Sequence, residues 1–198
     1  MKRSTGFTLI ELMVTIAVIV VLLALGVPKM QQYATSNRTV AQLNRISGDL
    51  ALARSEAIKR GSSATVCASD DSTTSTPSCS GTNAWEDGWI AFADLNNDGA
   101  FNGTDVLISV AEALPGGLTM RTADFDDAAV VRFRANGAVA DTDGDGDSDG
   151  TFTVCDSDGT LKKARALNVS NLGRTSVATD TDGDDIVNDV TTANVGCP

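Results

Sequence analysis

"GFTLIELMVTIAVIVVLLALGVP" (Gly6–Pro28) decides how this chain is read. From Phe7 to Val27 run twenty-one residues interrupted only by Thr8, Glu11 and Thr15, close to the ~20 apolar residues a helix needs to cross a bilayer. A secretory signal would have a shorter apolar region followed by a small-x-small cleavage site, whereas Val27, Pro28 and Lys29 follow here, so no cut is expected at the far end. Ahead of the segment lies a basic leader, MKRSTG, residues 1–6. It ends in Gly6, the smallest residue a protease could accept before the bulky Phe7. A cut between Gly6 and Phe7 would keep the hydrophobic helix and give it a new N-terminus.

That new terminus accounts for Glu11. A charged side chain at the bilayer centre costs about 2.5–3.5 kcal/mol on insertion scales, so its retention implies a purpose. Phe7 and Glu11 stand at i and i+4 on one helical face, where the freed α-amine and the carboxylate can pair within a chain or between neighbouring chains. Glu11 would then set register during assembly.

Composition points the same way. Residues 1–60 hold eight Lys/Arg against three Asp/Glu, while residues 61–198 hold seven against twenty-three, so the acidic charge is concentrated in the C-terminal part. Such a surface repels nucleic acid unless cations or a local basic patch intervene, and it suits an exposed domain able to bind a metal such as calcium. The chain has no histidine, which removes the commonest general base, the Ser-His and Cys-His pairs and most zinc sites. No catalytic constellation emerges, and a non-enzymatic protein is expected.

The four cysteines, Cys67, Cys79, Cys155 and Cys197, lack CxxC spacing, which favours disulfides in an oxidising compartment over zinc or thioredoxin-like chemistry. Of the three connectivities, Cys67 with Cys79 and Cys155 with Cys197 is expected because short loops close most readily; four free buried thiols are the alternative. The flanking charges are balanced, Lys2 and Arg3 against Lys29 and Arg38. The cysteines therefore set the orientation, with the leader cytoplasmic and the bulk of the chain on the oxidising side.

The stretch G-F-T-L-I-E (Gly6–Glu11), with a proline twenty-two residues into the mature chain at Pro28, resembles the type III signal of type IV pilins and type II secretion pseudopilins. The resemblance implies cleavage by a prepilin peptidase, N-methylation of Phe7, and packing with sister subunits into a filament built on an inner-membrane assembly platform.

Between Lys29 and Arg60 the apolar positions Met30, Tyr33, Val40, Leu43, Ile46, Leu50 and Ala53 recur at spacings of three, four or seven, the mark of an amphipathic helix, with Gly61 as its cap. Joined to the apolar segment this makes about 54 helical residues, or ~80 Å, with Pro28 as a kink. The second half is expected against a sheet and the first half bare. After Gly61 the pattern changes to eight short β-prone runs at 64–68, 89–93, 106–110, 118–121, 130–134, 152–155, 166–169 and 175–178, implying antiparallel sheets. Trp85 and Trp89 read as core.

The expected fold is α+β, a pilin fold in which a long N-terminal helix packs on an antiparallel sheet or sandwich. The order is leader 1–6, transmembrane and assembly helix 7–28, amphipathic helix 29–61 and periplasmic β-rich domain 62–198. "LALARSEAIKRG" (Leu50–Gly61), "TVCASDD" (Thr65–Asp71), "WEDGWIAFADLNNDG" (Trp85–Gly99), "VRFRANG" (Val131–Gly137) and "ARALNVSNLGR" (Ala164–Arg174) resemble the GspH/FimT branch. This likeness implies a minor subunit at or near a filament tip.

"DLNNDGAFNGTD" places Asp94, Asn96, Asp98, Asn102 and Asp105 at positions one, three, five, nine and twelve of an EF-hand-like loop, with Gly99 at the sharp turn. Strand-like flanks leave a polar hairpin as the alternative. "DTDGDGDSDG" (Asp141, Asp143, Asp145, Asp147, Asp149) and "DTDGDDIVND" (Asp180, Asp182, Asp184, Asp185, Asp189) resemble calcium loops of thrombospondin type 3 repeats, the alternative being solvated acidic loops. Lys162, Lys163, Arg165 and Arg174 form the basic concentration of the acidic half. In DNA-uptake members of the branch a Gly-Arg-x-Arg motif contacts DNA; Gly173 and Arg174 match it and Ser176 replaces the second arginine. Weak, salt-sensitive phosphate binding is the most this patch would provide, and a solvated strand face is the plainer reading. The expected function is therefore a minor pilin or pseudopilin, with a DNA-binding competence pilin and a calcium-dependent adhesin as rivals.

Overall fold

The computed structural model describes residues 8–198, apart from the side chains of 26–29 and 31–35. The leader and the expected processing pair, Gly6 and Phe7, lie outside the described residues. The chain forms two compact units, Met1–Asn37 and Arg38–Pro198. Helix α1, Leu9–Arg60, is continuous through position 28.

In the first unit, Thr8 accepts the Glu11 N–H on its Oγ1 at 3.3 Å. This satisfies one of the donors that a helix start leaves open. Glu11 sits in the first turn, where the helix dipole favours an anion. Every large apolar side chain from Leu9 to Leu25 is exposed, between 52% and 76%. Among the described residues no helix is long and apolar enough to cross a membrane; the expectation of a crossing rests on the sequence from Phe7 to Val27.

In the second unit α1 buries one stripe, Thr39, Leu43, Ile46, Leu50, Ala53 and Ala57, at alternating spacings of four and three. Of the expected members, Val40 falls off it at 41% exposed, Met30 lies in the first unit at 73% exposed, and the side chain of Tyr33 lies outside those described. Thr39 takes the place in the buried row that the sequence pattern assigned to Val40. Gly61 closes the helix with φ +64°, donating its N–H to Ala57 O at 3.0 Å. That left-handed geometry is cheap for glycine.

All eight expected strands form, their ends shifted by one or two residues: β1 Ser63–Ala68, β2 Trp89–Asp94, β3 Val106–Ala111, β4 Thr119–Ala123, β5 Val130–Phe133, β6 Gly150–Cys155, β7 Arg165–Val169 and β8 Thr175–Val177. They make two four-stranded antiparallel sheets, ordered β3-β2-β1-β5 and β4-β6-β7-β8. Alternation sends Ala64, Val66, Val131 and Phe133 of the first sheet and Phe152 and Val154 of the second into one core with the α1 stripe. Trp85 and Trp89 are fully buried in it. Trp85 meets Phe152 edge-on at 4.8 Å, and the two indole N–H groups donate to Ala128 O at 2.9 Å and to Asp49 Oδ2 at 2.8 Å.

The other face of the first sheet carries a second cluster of Cys67, Ile90 and Phe92, covered by Cys79 and Phe101. Strands β1 and β2 are consequently buried along their whole length. Both expected disulfides are present, Cys67–Cys79 and Cys155–Cys197. The loop between the first pair is organised by Asp71, which accepts from the Ser78 N–H, Ser78 Oγ and Ser69 Oγ. The outer edge of β4 is occupied by Asn83, whose amide donates to Thr122 O and accepts from the Thr122 N–H, each at 2.9 Å.

The stripe predicts a contrast within one helix. Leu50→Ala removes a fully buried side chain and should cost about 2–5 kcal/mol. Leu52→Ala, at a position 42% exposed, should stay within about 0.5 kcal/mol. Denaturant unfolding followed by the fluorescence of the two buried tryptophans measures both.

Candidate functional site

The Leu9–Leu25 surface is the largest apolar exposure among the described residues. A water-soluble monomer rarely leaves more than a few hundred Å² of contiguous apolar surface uncovered, and larger exposures mark contact sites for protein or membrane. Glu11 is the only acidic residue on it. The arrangement sets one acidic side chain on an otherwise apolar stretch of helix.

The acidic loops gather oxygen atoms in three places. Carboxylates of Asp94, Asp98 and Asp105 come within 4.8 Å of one another, as do those of Asp126, Asp143 and Asp145, and those of Asp180, Asp182 and Asp184. The first set follows the EF-hand-like spacing. Asp94 is fully buried and accepts from the N–H groups of Asp98 at 3.2 Å and Gly99 at 2.9 Å. Asp105 accepts from Leu95 and Asn102, each at 2.9 Å. Asn96 and Asn102 point their amide N–H groups at Asp98 Oδ2, at 2.7 and 2.8 Å. Of the expected ligands, the carboxylates therefore converge while the two asparagines act as donors to them.

The second set corrects the sequence reading in one member. Asp143 and Asp145 are joined by Asp126, from the loop between β4 and β5, and not by Asp141. Asp141 instead accepts the N–H groups of Gly144 at 2.6 Å and Gly146 at 3.1 Å, organising its own turn. Asp126 lay in the acidic stretch Asp124–Asp127, a signal with no spacing rule to connect it to residues 143 and 145. In the third set Asp180 accepts from Gly183 and Asp185, which holds its carboxyl below the ordinary value. All three sets are all-oxygen and suit a hard cation such as calcium. Near them, burial first and neighbouring carboxylates second push Asp124 and Asp149 above the ordinary range.

The basic concentration is largely neutralised in place. Lys162 donates to Asp185 at 2.9 Å, and Lys163 to Asp158 at 2.5 Å. The Lys163 contact is the main reason the Asp158 carboxyl falls to about 2. Arg165 is half-buried and donates to Ala164 O. Arg174 is exposed at the turn into β8, with Ser176 beside it. Two of the four, Lys162 and Lys163, thus have carboxylate partners.

The loop Asp94–Asp105 is held against the first sheet by Phe101, 5.4 Å from the Phe92 ring, and by Gly99 at φ +80°. A Cβ at position 99 would lie 1.8 Å from Arg132 Nη2. The guanidinium end can move aside, so it is the positive φ that favours glycine there.

These features match known proteins at both ends of the chain. The family described as "Type II transport protein GspH" matches residues 42–173, and the "Prokaryotic N-terminal methylation motif" matches residues 1–27. A type IV major alpha-pilin of Moraxella bovis is 45% identical over 51 residues, which is 26% of this chain and spans only 30% of that pilin. Among solved structures, the type IV minor pilin FimU of Pseudomonas aeruginosa superposes with a TM-score of 0.54 at 19% identity, covering 72% of this chain and 90% of FimU. A second crystal form of FimU gives 0.50, with 70% and 91% covered. The FimU likeness concerns the fold alone. The family match takes in the buried stripe of α1 from Leu43 onward and seven of the eight strands, and on that ground the chain belongs to the GspH family of minor pilins and pseudopilins.

Proposed function

We propose that this protein is a structural minor subunit of a type IV pilus or type II secretion pseudopilus, placed at or near the filament tip and doing no catalysis. The observation that carries the reading is the Leu9–Leu25 surface with Glu11 in its first turn. Before assembly the apolar segment sits in the inner membrane as a single pass, with the leader in the cytoplasm and the unit Arg38–Pro198 in the periplasm. Prepilin peptidase removes residues 1–6, and Phe7 becomes the methylated N-terminus. Its amine pairs with Glu11 of the same or a neighbouring chain, a contact whose strength in hydrocarbon makes it selective for register.

The DNA-binding alternative loses ground because Lys162 and Lys163 already have carboxylate partners. On the same proposal the acidic loops bind calcium, which rigidifies the outer surface of the β-rich unit and is no part of the assembly contact.

Two outcomes are expected. Mass spectrometry and N-terminal sequencing of protein made alongside a prepilin peptidase should find a chain beginning at methylated Phe7. Glu11→Val should be processed normally yet fail to enter filaments, scored by the ratio of sheared to membrane-bound protein. A native chain beginning at Met1, or past Ala24, would overturn the proposal. For calcium, millimolar concentrations should raise the Tm of the β-rich unit by several degrees over chelator, since binding to the folded state alone stabilises by mass action. Superimposable melts would remove calcium from the reading and leave the filament role untouched.

A further inference from the structure

Asparagine is followed by glycine twice, at Asn102–Gly103 and at Asn136–Gly137. Such a pair carries its own chemistry. Glycine has no Cβ to shield its backbone nitrogen, and that nitrogen can close a five-membered ring on the amide carbon of the side chain before it. Closure needs a free backbone N–H, donors at the amide oxygen where negative charge gathers, and water to complete the reaction.

The two pairs differ in how free the attacking nitrogen is. Gly137 donates its N–H to Arg134 O at 2.8 Å, and a Cβ there would meet the side chains of Ile58 and Arg54. Gly103 is exposed in the loop between β2 and β3, with nothing within 4 Å of its Cβ position. Its N–H has no hydrogen-bond partner among the described residues. The amide oxygens differ too. Asn102 Oδ1 accepts from the Thr104 N–H at 3.1 Å and from Thr104 Oγ1 at 2.7 Å, the distances at which donors stabilise an oxyanion. Asn136 Oδ1 accepts from the Ala138 N–H alone among the described residues, at 3.0 Å.

We propose that Asn102 is a deamidation site, converted by attack of the Gly103 nitrogen with water as the co-reactant. A bond forms from that nitrogen to Asn102 Cγ as its proton passes to solvent. The Cγ–Nδ2 bond breaks, and Nδ2 leaves as ammonia with a proton from solvent. Water then opens the ring, at Cγ to give aspartate or at the main-chain carbonyl to give isoaspartate. Water enters and ammonia leaves in equal amounts, and nothing is oxidised or reduced.

The product alters the acidic loop. Asn102 Nδ2 donates to Asp98 Oδ2 at 2.8 Å and to Ala100 O at 3.2 Å. A carboxylate in its place offers neither bond a proton, and it adds a further negative charge beside the converging carboxylates of Asp94, Asp98 and Asp105, which repel it. The inference rests on neither the filament role nor calcium.

The test keeps the full chain in detergent micelles, freed of metal by chelating resin, in mildly alkaline water enriched in heavy oxygen. The peptide acetyl-Phe-Asn-Gly-Thr-amide is incubated beside it. Peptic digestion in acid and electron-transfer fragmentation then locate the incorporated oxygen and separate aspartate from isoaspartate. Asn102 should convert about tenfold faster than Asn136, the margin set by the Gly137–Arg134 hydrogen bond that must open first. Thr104→Val, at an exposed position, should slow Asn102 about fivefold, the worth of one neutral hydrogen bond. Gly103→Ala, at an open position, should keep the Tm and lose most of the conversion. Equal conversion of the two asparagines, an Asn102 still intact when the peptide has fully converted, or a Gly103→Ala chain that converts as fast as its parent would overturn the proposal.

Discussion

The packing of one α1 stripe into two sheets is the constraint on which the β-rich unit depends. Leu43, Ile46, Leu50, Ala53 and Ala57 meet side chains from both sheets in a single cluster, so neither sheet has a complete core without the helix. The small residues lie toward the C-terminal end of the stripe. There Ala53 and Ala57 bring the helix close enough for Arg54, between them, to donate to Gly137 O at 2.8 Å and Leu172 O at 3.0 Å. Apolar area supplies the driving force, and these charge-assisted contacts fix where the two loops sit.

Polar groups within the core follow the same logic. Trp89 lies beside the helix, its N–H on Asp49 and the Arg45 guanidinium 5.6 Å from its ring centroid. The helix thereby contacts β2 through an apolar body and two charged neighbours at once. Asp94, the buried carboxylate at the end of β2, has each of its two oxygens met by a backbone N–H group from its own loop. That is the standard remedy for a desolvated anion.

Much of this was legible in the residues. The eight strands were found because each is a short β-prone run between turn formers, and the local disulfides because short loops close readily. The stripe was legible from Leu43 onward and misread at Val40, where both 39 and 40 fit the spacing to Leu43 and only packing decides. Contacts between distant residues were not legible. Asp126 reaches Asp143 and Asp145 across a strand and a loop, and Lys162 finds Asp185 twenty-three residues away. Arg132 read as part of a family-like strand; the approach of Gly99 to its guanidinium is a contact that no one-dimensional pattern encodes.

The Asn83 amide on the rim of β4 has a further consequence. By reproducing a neighbouring strand's donor and acceptor with one side chain, it leaves Thr122 no free backbone group to offer another polypeptide. That stretch of the sheet edge is thereby closed to strand addition by another polypeptide.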